Sequence, residues 1–428
     1  QGTSTNIDGF YEIKIPIGNN KITFKYIGYE NQIRNISSKK DSTINLNIRL
    51  SPSSEQLNTV VVSSGKFNQR LEETTVSMEV IKPNLIENKN SSNIETAMEQ
   101  IPGLNITDGQ ANIRGGSGWS YGAGTRVLVM VDDMPLISGD AGQVQWNLVA
   151  TENINQVEII KGASSALYGS SALNGIINIR TAYPKQSEID KNPNIGYTKV
   201  NINYGVIDFA KRSSLNWYGG KRNTFKGIEF LQSIKYDNID ISFGGNIFND
   251  EGYRKDEETQ RKRFNFNSLF KSKKFTGLSY GINANFLFES TASVIIWDSF
   301  DRAFTALNND VSTTSGDSYN IDPYVTYIKG NNRHSLRTRF LKVINDNESL
   351  DSLLDNDNTS KSYYSDYRWQ KNIKKYNLSF TSGVTNEIIF ARAKIFKGNN
   401  YRRNHAIYSQ IDKKVGDLNI SVGGRYEY

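Results

Sequence analysis

Strict alternation of apolar and polar residues dominates the second half of the chain. Across residues 200–206, 278–288 and 418–428, every second side chain is apolar or aromatic, with few exceptions. Because side chains point to opposite faces of a strand, this period predicts half-buried β-strands of about ten residues. The alternation fits a soluble β-sandwich, and it also fits a membrane barrel with a polar interior. In a barrel, Arg337 and Arg339 are expected to face a wet interior.

Shorter runs predict an N-terminal β domain over residues 1–52. The stretches Gly9–Pro16, Lys21–Tyr26 and Ile44–Leu50 each have the pattern of one strand. An antiparallel β-sandwich is a common arrangement for short strands of this kind.

Residues 53–72 are polar and predict a linker, in which Thr59–Val62 forms an isolated β-branched run. Two interpretations stay open. The run is either one more edge strand of the preceding domain, or an extended peptide that adds to the edge of a partner's sheet. Its position between two domains favours the second.

Residues 73–185 mix the two periods and predict an α+β domain. A capping box at Ser92–Glu95 begins a helix that Pro102-Gly103 ends, and Arg126–Val131 is an apolar strand. Next comes Val157–Thr181, with the pattern strand, glycine, small-residue helix, glycine, strand. One face of the predicted helix is apolar: Ile94, Ala97, Met98 and Ile101.

Composition excludes several classes of protein. The chain has no cysteine and two histidines, so a disulfide framework and a thiolate metal site are excluded. The serines after Gly162 lack the last glycine of a nucleophile elbow, and no phosphate-binding glycine loop is present. The charge of +7 is spread along the chain and predicts no nucleic-acid surface. We therefore predict no enzyme activity, catalytic residue, metal or cofactor.

Two long polar segments, 249–261 and 346–362, are expected to be loops between strands. The second contains Asp355–Asn358, whose side chains suit Ca²⁺, but a solvated loop is the better interpretation. The sequence contains no run of eighteen apolar residues, so it predicts no transmembrane helix.

The stretch Val157–Thr181 resembles the closing motif of the plug domain in TonB-dependent outer-membrane receptors, VEVIRGP…ALYG…GGVINIIT. Lys161 replaces the usual Arg and Ala163 the usual Pro. Earlier, Asp133 stands for Gly in the family's VDGVP turn, which aspartate tolerates because it visits left-handed conformations. The paired acids Asp132 and Asp133 could suggest acid–base catalysis or a metal site, but we interpret them as a turn with a salt bridge inside the plug. The resemblance implies a plug motif at Arg114, Gly115, Asp132, Glu158, Lys161, Gly162, Tyr168 and Gly169. Arg114 and Lys161 are expected to meet plug or barrel carboxylates.

The N-terminal stretches Thr5–Tyr11 and Tyr26–Tyr29 resemble the carboxypeptidase-regulatory-like domain that precedes many Bacteroidetes receptors of this family. That resemblance implies a structural or docking module. Residues 196–428 would then be part of a transmembrane antiparallel barrel of about 22 strands. Because half a barrel has open edges, we expect the chain to be a fragment at both ends. The implied TonB box is Thr59, Val60, Val61 and Val62.

Two loops of the plug contain aromatic residues among glycine and polar residues. They are residues 116–124 and 138–146. In the family, loops at these places face the extracellular side and touch the ligand. The resemblance implies ligand contacts at Trp119, Tyr121, Asp140, Gln143 and Trp146. We expect the loops to converge, with both indoles partly exposed. The alternative is that Trp119 and Trp146 only pack against the barrel wall.

The resemblance as a whole implies a receptor of the outer membrane with its N-terminal domain in the periplasm. It would import a scarce ligand (iron chelate, cobalamin, glycan or peptide) by energy-coupled remodelling of the plug. The alternative is a non-transporting binding or docking module for a partner protein. Expected partners are a TonB-type energy-transducing protein, outer-membrane lipid and a small or oligomeric ligand. Whether a surface lipoprotein is also a partner stays open, and no nucleic-acid partner is expected.

Overall fold

The chain is mainly β, as predicted, and its described residues form two compact units. One unit comprises Gln1–Val61 and Asn68–Glu73, and the other Val62–Phe67 and Thr74–Tyr428. The computed structural model describes residues 2–3, 5, 10–24, 32–40, 42–48, 50, 60–61, 63–66, 69–71, 74–88, 93–116, 126–162, 165–184, 189, 196–294, 296–348, 357–394, 398–416 and 418–428.

The first unit contains two short antiparallel pairs. Strand β1 (Gly18–Phe24) pairs with β2 (Gln32–Ser38), and β3 (Val60–Val61) pairs with β4 (Gln69–Arg70). β1 overlaps one predicted strand, but β2 was not predicted. The described parts of the other two predicted strands, 10–16 and 44–50, belong to no strand. Those two predictions were wrong because alternation marks an extended chain, which becomes a strand only with a backbone partner.

The second unit begins with residues 74–184, here called the plug region. Its plug sheet has the strand order β5-β10-β11-β8-β9, and β6 and β7 form a separate hairpin. No helix among the described residues is long and apolar enough to cross a membrane. The elements are β5 (Met78–Ile81), α1 (Pro83–Asn88), α2 (Ile94–Met98), β6 (Leu104–Thr107), β7 (Gln110–Ile113), β8 (Val127–Val131), β9 (Met134–Pro135), β10 (Ile154–Ile160), α3 (Ser165–Tyr168) and β11 (Gly175–Thr181).

The predicted strand-helix-strand unit is present in this region. β10 and β11 pair antiparallel, and the apolar side chains of both are almost fully buried. Gly175 has a φ of +146°, and a Cβ there would lie 2.4 Å from the Ile160 carbonyl oxygen, so the tight start of β11 requires glycine. The predicted apolar face of α2 is buried as well. Its N-cap is Asn93, which accepts the Glu95 N–H at 2.8 Å, whereas Ser92 lies outside the described residues.

The rest of the unit is one large antiparallel sheet of eleven strands, each paired with the next in sequence. They are β12 (Tyr197–Val206), β13 (Thr224–Tyr236), β14 (Ile239–Asp250), β15 (Thr259–Lys271), β16 (Leu278–Ser293), β17 (Ser312–Lys329), β18 (Asn332–Glu348), β19 (Asn358–Ile373), β20 (Leu378–Ala393), β21 (Gly398–Val415) and β22 (Leu418–Glu427).

The two faces of the large sheet have the reverse of a soluble protein's polarity. Apolar side chains such as Ile202, at 73% relative exposure, project outward, while polar ones such as Asn246 and Arg339 are buried against the plug region. An apolar outer face and a polar inner face are typical of membrane barrels and not of a sandwich. The expected wet interior at Arg339 is wrong, because the plug region fills that space.

The two ends of the large sheet differ in the length of their connections. At one end the turns are short, as at 237–238 and 330–331, and at the other they are long, as at 207–223 and 294–311. Both predicted polar loops lie at the long-loop end but are shorter than expected. β14 and β15 extend to leave only 251–258, and β18 and β19 leave only 349–357, because cross-strand pairing continues through polar residues.

Candidate functional site

The hairpin formed by β8 and β9 carries the two predicted turn acids. Asp132 and Asp133 have φ values of 52° and 70°, which is the pattern of a type I′ turn. Asp133 is buried and forms an ion pair with Arg180 of β11 at 2.8 Å. Its other oxygen lies 3.4 Å from the Arg368 guanidinium of β19. The predicted turn with a salt bridge inside the plug region is therefore present.

Glu158 of β10 lies beside this pair and is fully buried. Its carboxylate accepts hydrogen bonds from the Ser63 N–H at 2.7 Å and the Ser63 hydroxyl at 2.5 Å. The Arg180 guanidinium lies 3.4 Å from its other oxygen. Glu158 therefore ties the chain segment around Ser63 to the plug sheet.

Residues 63–66 form a turn that reaches the large sheet through Lys66. The Lys66 ammonium lies 3.1 Å from the Asp366 carboxylate and over the rings of Tyr168 and Tyr408. The Lys66 carbonyl oxygen accepts hydrogen bonds from Arg368 at 3.0 Å and Gln370 at 2.6 Å. Arg368 also pairs with Asp366 at 2.8 Å. We call Lys66, Asp133, Glu158, Arg180, Asp366 and Arg368 the ionic cluster.

The charges of the ionic cluster compensate one another away from water. Burial lowers the pKa of Lys66 to about 8, against the opposing attraction of Asp366. Burial would raise the pKa of Asp133, but Arg180, Arg368 and Arg337 outweigh it and hold that pKa well below its ordinary value. Burial opposes the charge of Arg180 too, yet Asp133 and Glu158 raise its pKa. All three groups therefore keep their charge at neutral pH, although Lys66 does so by a small margin.

Further contacts join the plug region to the large sheet at strands before β19 in the sheet order. Arg339 of β18, paired with Asp322, donates to the carbonyl oxygens of Met134 at 2.9 Å and Pro135 at 3.0 Å. Further along the sheet, the Glu152 carboxylate pairs with Arg263 of β15 at 2.5 Å. These contacts fix and orient backbone, and none of them pairs a nucleophile with a base. Among the described residues, no group of three or more His, Cys, Asp or Glu could hold a metal ion.

Two protein-family models match the chain. Residues 70–176 match the TonB-dependent Receptor Plug Domain, and residues 1–62 match the CarboxypepD_reg-like domain. Residues 70–176 are therefore similar to the plug domain of TonB-dependent receptors. Both resemblances are thereby confirmed, and they point to a transporter family rather than to an enzyme family.

Curated relatives of the TonB-dependent receptor class match the chain in part. Vitamin B12 transporter BtuB of Vibrio vulnificus strain CMCP6 is 32% identical over 166 residues, covering 36% of this chain and 27% of that protein. TonB-dependent receptor P3 of Formosa agariphila is 24% identical over 271 residues, covering 59% and 26% respectively. The matches thus span about a quarter of the length of these relatives.

Solved receptor structures share the fold over most of the chain. The siderophore receptor PirA from Pseudomonas aeruginosa matches with a TM-score of 0.61 at 14% identity, covering 82% of this chain and 55% of that one. The ferric-catecholate import receptor Fiu from E. coli K12 matches with a TM-score of 0.62 at 16% identity, covering 85% and 61%. The large sheet is therefore part of a receptor barrel fold.

The two predicted plug cations have different partners. Lys161 forms an ion pair with Glu79 of β5 and donates to the Pro102 carbonyl oxygen at 2.7 Å, so it meets a plug carboxylate as expected. Arg114 is exposed at a φ of 53° and donates to the Ser77 hydroxyl at 2.9 Å. The expected carboxylate partner of Arg114 is wrong for the described residues, since its guanidinium forms an ion pair with none of them and bonds a hydroxyl instead.

Two other motif residues of the plug form hydrogen bonds with backbone groups. The Tyr168 hydroxyl donates to the Ser63 carbonyl oxygen at 2.7 Å, and the Asp132 carboxylate accepts the Thr181 N–H at 3.1 Å. Gly115 and Gly169 have φ values of 70° and 87°. Gly162 follows β10 without such a constraint.

The expected ligand face is only partly described. Trp119 and Tyr121 lie outside the described residues, so the convergence of the two loops stays a prediction. Asp140 is half-buried and Gln143 is exposed, in a loop that touches the large sheet where the Gly139 N–H donates to the Ser360 hydroxyl at 3.1 Å. Both residues stay candidate ligand contacts.

The expected exposure of Trp146 is wrong. Its indole is 5% exposed in the apolar core of the plug, and its Nε1–H donates to the Gly109 carbonyl oxygen at 2.7 Å. An indole with its N–H satisfied internally gains more from burial than from facing a polar loop. Trp146 thus supports the plug rather than offering a stacking surface.

Trp146→Phe should lower the free energy of unfolding by about 1–2 kcal/mol, because the half-buried Gly109 carbonyl oxygen loses its donor. Ligand affinity should stay unchanged. Denaturant titration and ligand titration of the same protein check both expectations. The matched control is Trp217→Phe. The Trp217 indole N–H donates to the Tyr253 carbonyl oxygen at an exposed position, so its loss should cost less than about 0.5 kcal/mol. Reduced ligand affinity in Trp146→Phe alone would restore the stacking role.

The segment predicted as a TonB box is partly described. Thr59 and Val62 lie outside the described residues, while Val60 and Val61 form β3 and Val61 is fully buried. The CarboxypepD_reg-like match extends to residue 62, so it includes this run. Both observations suit the edge-strand interpretation in the conformation seen, and the TonB-box assignment stays a prediction.

Sequence reasoning missed most of the ionic cluster. Asp366, Arg368 and Gln370 alternate with Tyr367 and Trp369, so the strand pattern carried a signal for their shared inner face. Lys66 is a lone lysine in a polar stretch, and no sequence pattern distinguishes it from a solvated cation.

Proposed function

We propose that this protein is an energy-coupled import receptor of the outer membrane, with its N-terminal domain in the periplasm and a TonB-type protein as its partner. The observation that carries the proposal is a plug region closed against a barrel-type sheet through the buried ionic cluster. The relatives are named for vitamin B12 and for iron chelates, and these are the ligands to test first. A glycan or peptide ligand, a surface lipoprotein partner and calcium in the loops stay open.

The position of the ionic cluster supports a route by which a force from the TonB-type partner would reach the plug. A force applied to Thr59–Val62 reaches Ser63 and Lys66 next along the chain. Those residues bind Glu158 of the plug sheet and Asp366 of the large sheet. Extracting this turn would therefore remove a cation and a hydroxyl from the cluster. The remaining charges would be left imperfectly paired, which is costly in a buried site and would favour remodelling of the plug.

Uptake by the full-length receptor tests the proposal. We would express it in a strain without importers of its own and follow labelled cyanocobalamin and a labelled ferric siderophore, with and without a protonophore. Uptake that the protonophore abolishes supports an importer. Binding without uptake of either ligand would favour the docking module instead.

A crosslink between the plug and the large sheet tests plug remodelling. A Cβ built at Gly423 of β22 lies 3.3 Å from the Ala166 Cβ of α3, a little under the separation in disulfides. The chain has no other cysteine, so Ala166→Cys with Gly423→Cys gives a single bond. The oxidised protein should bind ligand but transport none, and a reductant should restore uptake. Full transport by the crosslinked protein would show that the plug need not move at this contact, and each single variant serves as control.

A further inference from the structure

A row of outward-facing residues, paired strand by strand, crosses the large sheet. Aromatic side chains occupy six of its nine positions, and five of these six are exposed. The row runs through Phe230, Gly245, Phe264, Phe286, Tyr319, Lys342, Lys361, Phe390 and Tyr401. Two directly opposed lysines thus interrupt a lateral band of aromatic rings.

The positive charges of Lys342 and Lys361 are poorly balanced by negative charges at this position. Directly opposed like charges in an antiparallel pair destabilise the sheet. Within the described part of the chain, neither ammonium lies within 4 Å of a carboxylate. Asp317, diagonal to Lys342 across β17, forms no ion pair with it, and Lys342 instead lies 5.8 Å from the centre of the Tyr319 ring.

Two arginines extend the positive charge on the same face. Arg392 lies diagonally across from Lys361, and Arg403 lies one strand further, 5.6 Å from the centre of the Tyr401 ring. Neither forms an ion pair with another described residue. We call Lys342, Lys361, Arg392 and Arg403 the basic patch.

The two lysines have apolar surface below them and strand ends above them. Toward the short-turn end, Phe340 and Tyr363 pair with ring centres 4.8 Å apart, and Ile388 continues that row and is followed in it by Arg403. Lys361 is three residues from the start of β19 and Lys342 is six from the end of β18, so the two lysines lie about 10 to 20 Å below the ends of their strands at the long-loop end. Long loops mark the extracellular side of barrels, and aromatic bands mark the membrane interface.

We propose that the basic patch binds the phosphate of a lipid in the outer leaflet, with the acyl chains lying on the apolar surface of Phe340, Tyr363 and Ile388 below the lysines. This site rests on the proposed outer-membrane location. A phosphate between the two ammonium groups replaces their repulsion with two charge-assisted hydrogen bonds, and the arginines offer further donors. A free anion would gain the same charge contacts but would leave that apolar surface uncovered.

Lipid binding to the full-length receptor in detergent tests the site. Native mass spectrometry would count bound lipid A, the same lipid stripped of its phosphates, and inorganic phosphate. Lys342→Gln with Lys361→Gln should weaken binding of phosphorylated lipid A on the order of tenfold. Lys371→Gln is the matched control, because Lys371 lies on the same face of β19 at the short-turn end. It should stay within about twofold of the unmodified receptor.

Three results would overturn the site. They are equal weakening by the control, equal binding of the dephosphorylated lipid, and displacement of the lipid by inorganic phosphate at comparable concentration. Near-ultraviolet circular dichroism confirms that each variant is folded, and Lys342→Arg with Lys361→Arg, which keeps the charge, should bind as the unmodified protein does. Because the readout does not involve transport, lipid binding without uptake would refute the importer and leave the site standing.

Discussion

Asp133→Asn should lower the free energy of opening of the plug sheet by about 3 kcal/mol or more. Asparagine keeps the shape of the turn and tolerates its φ of 70°, so the change removes charge and little else. Arg180 and Arg368 would then share fewer carboxylates in a buried site. Amide hydrogen exchange in β8, β10 and β11 of the full-length receptor measures this loss directly.

Asp108→Asn is the matched control for Asp133→Asn. Asp108 also lies in a two-residue hairpin turn with a positive φ of 50°, but its side chain is exposed. Its replacement should change the exchange free energies by less than about 0.5 kcal/mol. Equal effects of the two variants would mean that turn geometry, and not the ionic cluster, holds the plug sheet closed.

Val61→Pro should abolish uptake while ligand binding survives. Proline removes a backbone donor, so the segment could no longer add as a strand to the edge of a partner's sheet. Uptake and ligand titration on one full-length preparation measure the two effects separately. A pull-down with the periplasmic domain of a TonB-type protein should show the same loss of capture.

Because Val61 is buried in β3, Val61→Pro needs a control for local damage. Ser54→Pro places the same residue earlier in the predicted linker and should leave uptake unchanged. Val61→Ala keeps the backbone donor and should retain capture by the partner. Normal uptake by Val61→Pro, or equal loss in Val61→Ala, would reject the TonB-box assignment and favour an edge strand.

Much of the second unit was predictable, because its elements are local and strongly patterned. The unit Val157–Thr181 contains its own glycines, which permit the tight reversals that Gly169 and Gly175 make. The alternation of residues 200–206 and 418–428 predicts strands wherever they pair. The N-terminal domain was less predictable, since an extended run becomes a strand only beside a partner.

The sequence alone determined the plug motif, the acidic turn and the alternating strands of the large sheet, since each depends on neighbours a few residues apart. Only the tertiary structure decided that Lys66 meets Asp366 across 300 residues and that Trp146 lies in the core. It also decided that Lys342 and Lys361 face each other outside. The reason is physical: whether a charge is paired or an indole buried depends on the surface that packs against it, and distant parts of the chain provide that surface.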